Sequence, residues 1–484
     1  MPDTAATPGT TNPLVMLHLG LGSFHRAHQA VYQQALHDAG DARWVLHGGN
    51  IRSEVGTPMA NTLAALQASA GAYTLETVSP AGERRYQRIS AIRRVIAHDP
   101  ALSGLIAAGA DAATRIVSFT VTEAGYYLDA AHQLDLNFAD LAADLAATKA
   151  GHPRPQTPTI YGALTAILRA RKAAGAGPLT LLNCDNLRHN GDRARGGLLQ
   201  FITLAGDTDL LAWVQAHTTS PNAMVDRITP RPTPDVRVRV NAATGVDDPA
   251  ALMGESFIQW VIEDRFAAGR PDWQQVGVQL VKSVDAYEEA KIRLLNAPHS
   301  CIAWAGTLLG LTYIHEGTHL PAIRKMAFDY ATDDVIPVLD TPAAPSPIDL
   351  AAYRDVVLDR FGNAAIADTN QRVAMDGFSK IPGFIVPTIR ERLAQGASIH
   401  SVAMLPALFL AYLQRWHQGQ IAYTYQDQAM DPAVAHAICS AADPVAAFCA
   451  DVPLWGPLAG DVRLVAAVRA AALRVDQFIQ EHQA

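Results

Sequence analysis

Leu14-Val-Met-Leu-His-Leu19, a run of strand-type residues, passes directly into Gly20-Leu-Gly22 and then into a helical pattern from Gln29 to Ala39. No other feature limits the possible folds of this chain so strongly. A strand, a glycine turn and a helix in that order open a doubly wound α/β sheet, and their junction is where backbone N–H groups hold a pyrophosphate. Gly20 would permit the tight turn and Gly22 the close approach of phosphate. The third glycine of GxGxxG is missing, and His25 holds its place. A GxG alone is a weak signal, because a plain strand-to-helix turn can carry it too.

The rest of the first half keeps the same alternation. Trp44–His47, Arg115–Thr120 and Leu179–Asn183 read as short buried strands, each followed by polar or glycine residues and a helical pattern. From about residue 285 the β-branched runs thin out, and Ala- and Leu-rich segments with helical spacing dominate, such as Val402 to Arg415 and Val462 to Ile479. A chain of 484 residues exceeds one ordinary core. We therefore expect a disordered leader over 1–12, a Rossmann-type nucleotide-binding α/β domain over 13–284, and a mostly α-helical C-terminal domain over 285–484, with a cleft between the domains. The proline-rich stretches at 151–158, 230–234 and 341–347 read as loops.

In a nucleotide-binding sheet the second strand ends near the adenosine ribose, often with an acidic residue. Here that strand runs into Gly48-Gly-Asn50-Ile-Arg52-Ser-Glu54, with Asn50 where an Asp is common. Glu54 could bind the ribose hydroxyls, and Arg52 could tolerate a 2′-phosphate, so local chemistry leaves NAD and NADP both open. A net charge of −8 gives no electrostatic footprint for nucleic acid or an anionic membrane. Four scattered cysteines without a CxxC pair read as reduced thiols, and the start has neither a basic nor an apolar signal region. The longest apolar stretch, Ala403 to Leu413, is too short to span a bilayer. The expectation is a cytoplasmic monomer or small homo-oligomer that binds a small molecule.

Three patterns overlap between Tyr287 and His319. His315-Glu316-Gly-Thr-His319 is formally HExxH, which binds zinc only if a helix presents both histidines to one metal. Gly317, Thr318 and Pro321 weaken a helix there, and the next Glu is Glu391. The plain reading is a capped helix end with exposed histidines; a zinc peptidase is the remote one, and no metal is expected. Tyr287-Glu-Glu-Ala-Lys291 is formally YxxxK, but the glycine turn and serine that accompany it in short-chain dehydrogenases are absent. Tyr287 reads as a packing residue. The third pattern is Lys291-x4-Asn296-x2-His299. On an ideal helix, Lys291 and His299 lie about 80° apart, with Asn296 about 60° beyond His299. Pro298 should kink or restart that helix.

At this point the chain resembles the mannitol dehydrogenase family of polyol-specific long-chain dehydrogenases, over nearly its whole length. Gly20-x-Gly22-Ser23-Phe24-His25-Arg26-Ala27-His28 is similar to the family's variant cofactor turn. Thr120-Val-Thr122-Glu123-Ala-Gly125-Tyr126 is similar to its TxTExGY signature. Cys184-Asp185-Asn186, Val225-Asp226-Arg227, Lys291-x4-Asn296-x2-His299, and Arg372 with Lys380 follow in the family's order. The resemblance implies metal-independent oxidation of a sugar alcohol to a ketose with NAD. Leu181–Asn186, Met224–Pro230 and Gly377–Pro382 further suggest D-arabinitol to D-xylulose, with mannitol oxidation or fructuronate and tagaturonate reduction as alternatives. Some members have Asp after the residue matching Glu54, which helps select NAD; this chain has Val55.

The same resemblance assigns roles. Gly20, Gly22, Ser23, Phe24, Asn50, Arg52, Glu54, Thr122 and Glu123 would bind the cofactor. Lys291 would be the general base, because burial beside a positively charged cofactor disfavours its protonated form. Asn186 and Asn296 would donate to the reacting oxygen as an oxyanion hole does. His299 would orient substrate and Lys291, and Asp226, Arg372 and Lys380 would contact the polyol. Glu288 could relay the proton to solvent or, as a surface carboxylate, simply pair with Lys291 at i, i+3.

Overall fold

Strand follows strand through the first half of the computed structural model, which describes residues 13–121, 123–129, 132–151 and 158–482. In chain order they are β1 (Leu14–Leu19), β2 (Trp44–Gly49), β3 (Tyr73–Val78), β4 (Arg84–Ile89), β5 (Ile92–Val95), β6 (Thr114–Phe119), β7 (Leu179–Asn183), β8 (Thr218–Thr219), β9 (Ala223–Asp226), β10 (Leu252–Glu255), β11 (Gln259–Glu263) and β12 (Gln279–Val281). The principal sheet has the order β5-β2-β1-β6-β7-β8 with every pairing parallel. Counted within this sheet, that is third, second, first, fourth, fifth, sixth. This is the order of a dinucleotide-binding fold, with its switch point between β1 and β6.

The side-chain alternation of β1, β6 and β7 explains why their sequences read as unbroken apolar runs. Leu17, Leu19, Val117, Phe119, Leu179 and Leu181 enter one core, whereas Met16, Ile116 and Leu182 enter another. With a period of two, these sets face opposite sides of the sheet, so both faces are buried. Two further three-stranded sheets, β10-β3-β4 and β12-β11-β9, complete the β structure among the described residues. The sequence-expected leader and most of the 151–158 loop lie outside the described residues. Among the described residues no helix is long and apolar enough to cross a membrane.

The chain divides into two compact units, Met1–Thr77 with Arg84–Val284, and Val78–Glu83 with Asp285–Ala484. The expected single boundary before residue 285 does not capture Val78–Glu83. This tip of the β3–β4 hairpin groups with the later unit, where the buried Asn363 donates from Nδ2 to the Val78 carbonyl at 3.3 Å. The second unit is helical, and helices Ala297–Leu308, Met404–His417 and Val462–His482 contribute to its core.

Pro298 stands in the first turn of a new α segment that starts at Ala297, after a π turn, as a restart of the helix requires. The backbone runs helically from Asp285 to Leu308, with a π turn at Ile292–Asn296 between two α segments. The Ala297 amide donates to Ile292 O, five residues back. The same device recurs twice: Ile336 donates to Ala331 O before Pro337, and Val386 to Ile381 O before Pro387. A proline lacks the donor for the carbonyl four residues back and its ring crowds that carbonyl. Widening the turn by one residue opens space for the ring, and the helix continues. The Ile292–Asn296 turn packs against both of the others.

Candidate active site

In the first unit, β1 and β6 part at their carboxyl ends, and the cavity there measures about 450 Å³. Gly20 forms one edge with φ +110°, and a Cβ at this position would stand 2.6 Å from the Thr120 carbonyl oxygen. Only glycine fits. At Gly22 a Cβ would meet nothing within 4 Å, so the turn is open on the side where a phosphate would approach. Asn50 braces the turn, accepting from the Leu21 amide at 2.8 Å and donating to Glu54 at 3.3 Å. These features fit a dinucleotide: a glycine cradle, a polar rim of Asn50, Arg52 and Glu54, and an apolar wall that includes Phe138 and Ile160.

His25 explains how the turn dispenses with its third glycine. The helix after Gly22 spans only Ser23–Ala27 and breaks at His28 before Gln29–Asp38. The His25 ring stacks on that of His18 in β1, with centroids 3.5 Å apart. Burial pushes His18 down to about 3 and His25 well below the ordinary histidine range, so both stay neutral. Two flat neutral rings thus fill the space that close helix–strand packing would otherwise occupy. Phe24 packs toward the same core and stacks on His28. Neither Gly22, Ser23 nor Phe24 lines the cavity itself. Thr122 lies outside the described residues, and Glu123 is placed only by the backbone of its 3-10 turn, Glu123–Tyr126.

Sequence reasoning missed three residues that shape the same cavity: Tyr127, Phe138 and Asp140. Tyr127 adopts φ +51°, a left-handed conformation that costs a large side chain on the order of 1 kcal/mol. A tyrosine immediately after a recognised signature carries no sequence mark of that geometry. Further along this unit, Asn186 is exposed on the turn after β7, next to Asp185, whose carboxylate accepts from the Val121 amide and the Tyr126 hydroxyl. Asp226 is buried at the end of β9. The neighbouring Arg227 donates to the carbonyls of Glu255 and Ala27, tying β9 to the end of the glycine-turn helix.

The second unit carries the remaining predicted residues. Lys291, 6 % exposed, immediately precedes the Ile292–Asn296 π turn, and Asn296 closes it. On an α-helix five residues overshoot one turn by about 140°. A π turn closes its ring over five residues, so Asn296 returns closer to the face of Lys291 than an α turn would bring it. Glu288 is 5 % exposed, which removes the surface-carboxylate reading; Tyr287 is buried, as expected of a packing residue.

His299, Arg372 and Lys380 form a second group, joined by a residue the sequence did not single out. Arg372 binds Asp368 with its fork, through Nε at 2.6 Å and through Nη2. His299 Nε2 stands 3.4 Å from the same carboxylate, within ion-pair reach but too far for a good hydrogen bond, and this buried nitrogen has no other partner. The ring stacks on Phe361 at 4.4 Å. Burial lowers the His299 pKa against the pull of Asp368. Lys380 precedes another π turn, donates to Val373 O at 2.6 Å, and is held by burial at about 8. An unfilled imidazole nitrogen flanked by a carboxylate, a guanidinium and an amine can receive a neutral, hydroxyl-rich molecule.

His315 and His319 lie on a short capped helix, Ile314–His319, the plain alternative to a zinc site. Its stability comes from a cap: the Glu316 carboxylate accepts from the Thr312 and Tyr313 amides, both at 2.8 Å. The glutamate that would activate water in a zinc peptidase is therefore engaged as a helix cap. Among the described residues, no group of three metal-type ligands includes either histidine.

Comparison with known proteins places these features. The family model described as the mannitol dehydrogenase Rossmann domain matches residues 15–275, and that of the mannitol dehydrogenase C-terminal domain matches residues 283–476. D-arabinitol 4-dehydrogenase of Ralstonia nicotianae is 59% identical over 464 residues, 96% of either chain. D-arabinitol 4-dehydrogenase of Klebsiella pneumoniae is 50% identical over 458 residues, 95% of this chain and 97% of its own. Among solved structures, Pseudomonas fluorescens mannitol 2-dehydrogenase, in ternary complex with NAD and D-mannitol, superposes with a TM-score of 0.79 at 34% identity. The match covers 99% of this chain and 95% of that one.

Proposed function

This chain belongs to the mannitol dehydrogenase family, and on that premise we propose that it oxidises a secondary alcohol of D-arabinitol to the ketone of D-xylulose with NAD. That it is a polyol dehydrogenase follows from its relatives. The observation that carries the polyol reading in the chain itself is the unfilled His299 Nε2 beside Asp368, Arg372 and Lys380. D-arabinitol is favoured over mannitol because the relatives named for it are 59% and 50% identical, against 38% and 39% for relatives named for mannitol.

NAD, when bound, supplies the acceptor for the hydride. The chain supplies the rest. Lys291 takes the hydroxyl proton in oxidation and returns it in reduction. Asn296 donates a hydrogen bond to the reacting oxygen, so charge that develops there is met without reorganisation. His299, Arg372 and Lys380 hold the polyol chain, and Glu288 passes the proton from Lys291 toward solvent. No metal is assigned a part. Arg372 is already engaged by Asp368, so a uronate carboxylate finds no free guanidinium there, and the uronate reductase reading loses support. The four free cysteines suit a reducing, cytoplasmic setting.

The test is a spectrophotometric screen of arabinitol, mannitol, xylitol and sorbitol with NAD⁺ and NADP⁺, with fructuronate and NADH alongside. The highest kcat/KM should come from D-arabinitol with NAD⁺, with D-xylulose as product and no loss on adding a chelator. A best rate with mannitol would overturn the substrate assignment and leave the family intact.

A further inference from the structure

Arg52 is the only positively charged residue among the described ones that line the cavity of the first unit, where Glu54 and Asp140 are both acidic. It sits just past β2, where an arginine can accept the 2′-phosphate of NADP. Its guanidinium is already taken. Nη2 donates to Asp140 at 3.2 Å and to the Tyr127 hydroxyl at 2.5 Å, and that hydroxyl in turn donates to the same Asp140 oxygen. Three side chains from three segments close one small ring: Arg52 after β2, Tyr127 after β6, and Asp140 in the first turn of helix Ala139–Ala150.

The ring is held from behind. Tyr127 keeps its left-handed backbone with its ring edge-on to Phe138, centroids 5.4 Å apart. A large residue stays in that conformation only where its surroundings over-determine it. Glu54, which also lines the cavity, is fixed by Asn50 and by the Thr57 hydroxyl at 3.1 Å.

We propose that Asp140 determines the preference of this chain for NAD over NADP by holding Arg52, acting as a positioning residue; the proposal rests on the cofactor reading above. A 2′-phosphate brings up to about two negative charges. To meet it, Arg52 must leave Asp140 and Tyr127, and the Asp140 carboxylate is then uncompensated beside the phosphate. Glu54 adds a second repulsion. A 2′-hydroxyl asks nothing of Arg52 and leaves the ring closed. Discrimination thus arises from an attractive group withheld and a repulsive one exposed together.

The experiment is titration of NADH and NADPH by nucleotide fluorescence against wild type, Asp140→Asn and Tyr127→Phe, each also in an Arg52→Ala background. Asn keeps the shape of Asp140 and removes its charge. Wild type should bind NADH more tightly. Asp140→Asn should lower the ratio of NADPH to NADH dissociation constants at least tenfold, and Tyr127→Phe should move it the same way by less. With Arg52→Ala the Asp140→Asn effect should shrink below threefold. An unchanged ratio in both variants overturns the proposal, as does an equal gain without Arg52. A wild type that binds NADPH as tightly as NADH also overturns it. If wild type binds neither nucleotide, the cofactor reading itself fails and the proposal falls with it.

Discussion

The amide of Ala297 donates to the carbonyl of Ile292, five residues back instead of four. This single bond links the proline at 298 to the alignment of Lys291 with Asn296.

Pro298→Ala would restore a backbone donor and favour the ordinary four-residue register. Asn296 would then swing away from Lys291. We expect kcat to fall about tenfold to hundredfold, the scale of a 1 Å misplacement, with Tm unchanged or raised. Steady-state kinetics and a thermal melt check this. An unaltered kcat with a raised Tm would mean that the π turn does not set the alignment.

Lys291→Ala should lower kcat by about 10³-fold, within the range of a lost general base. NADH binding, followed by fluorescence, should be retained. If Tyr287→Phe proves the more damaging change, the base has been misassigned.

Asp368→Asn should act on the substrate. Arg372 would lose a charge-assisted fork and His299 its only nearby acceptor. KM for the polyol should rise about tenfold or more, with a smaller change in kcat. Fructuronate turnover, weak in wild type, should gain relative to arabinitol as Arg372 is freed. A variant with unchanged KM would remove Asp368 from the site.

Lys380 gives the pH dependence. Burial is the largest influence and holds it near 8 against an ordinary 10.5. As a cation it can donate to substrate hydroxyls, so KM should be flat below pH 8 and rise above it. Lys380→Arg, always protonated, should abolish that rise. The sign for stability is opposite to the usual salt-bridge case. Between about pH 8 and 10.5 the unfolded chain holds this proton and the folded chain does not, so the group's contribution to stability increases with pH through that window. A KM independent of pH from 7 to 9.5 would exclude Lys380 from substrate binding.

Two glycines separate folding from binding. Gly20→Ala meets the Thr120 carbonyl at 2.6 Å with φ +110°, and should lower Tm by several degrees. Gly22→Ala meets nothing, so Tm should hold while NADH affinity drops by about tenfold or more. Equal Tm losses in both would show that the openness at Gly22 has no functional meaning.

The parts of the fold that rest on local chemistry were legible in the sequence. The strands β1, β2, β6 and β7 announce themselves because a parallel sheet buried on both faces needs unbroken apolar runs. Lys291, Asn296, His299, Arg372 and Lys380 were found as a family pattern, whereas their geometry was not. The restart expected at Pro298 takes the form of a π turn, a detail the local rule for proline leaves open, and that turn packs against those before Pro337 and Pro387. Asp368, Tyr127 and Asp140 were invisible for a different reason. Each works through a partner distant in the chain or through an unusual backbone angle, and apart from the i, i+4 spacing of Asp368 to Arg372 none leaves a spacing to read. The HExxH segment shows the converse, a legible pattern whose glutamate serves as a helix cap.

The hydrogen bond between Asn363 and the Val78 carbonyl spans 285 positions of sequence. On a ribosome adding roughly 5–20 residues per second, the hairpin tip at Val78–Glu83 waits about a quarter of a minute to a minute for its partner. The nascent first unit must therefore carry the Val78 carbonyl without this partner through most of translation. Separating the two units with a single cut before Asp285 would make that wait permanent.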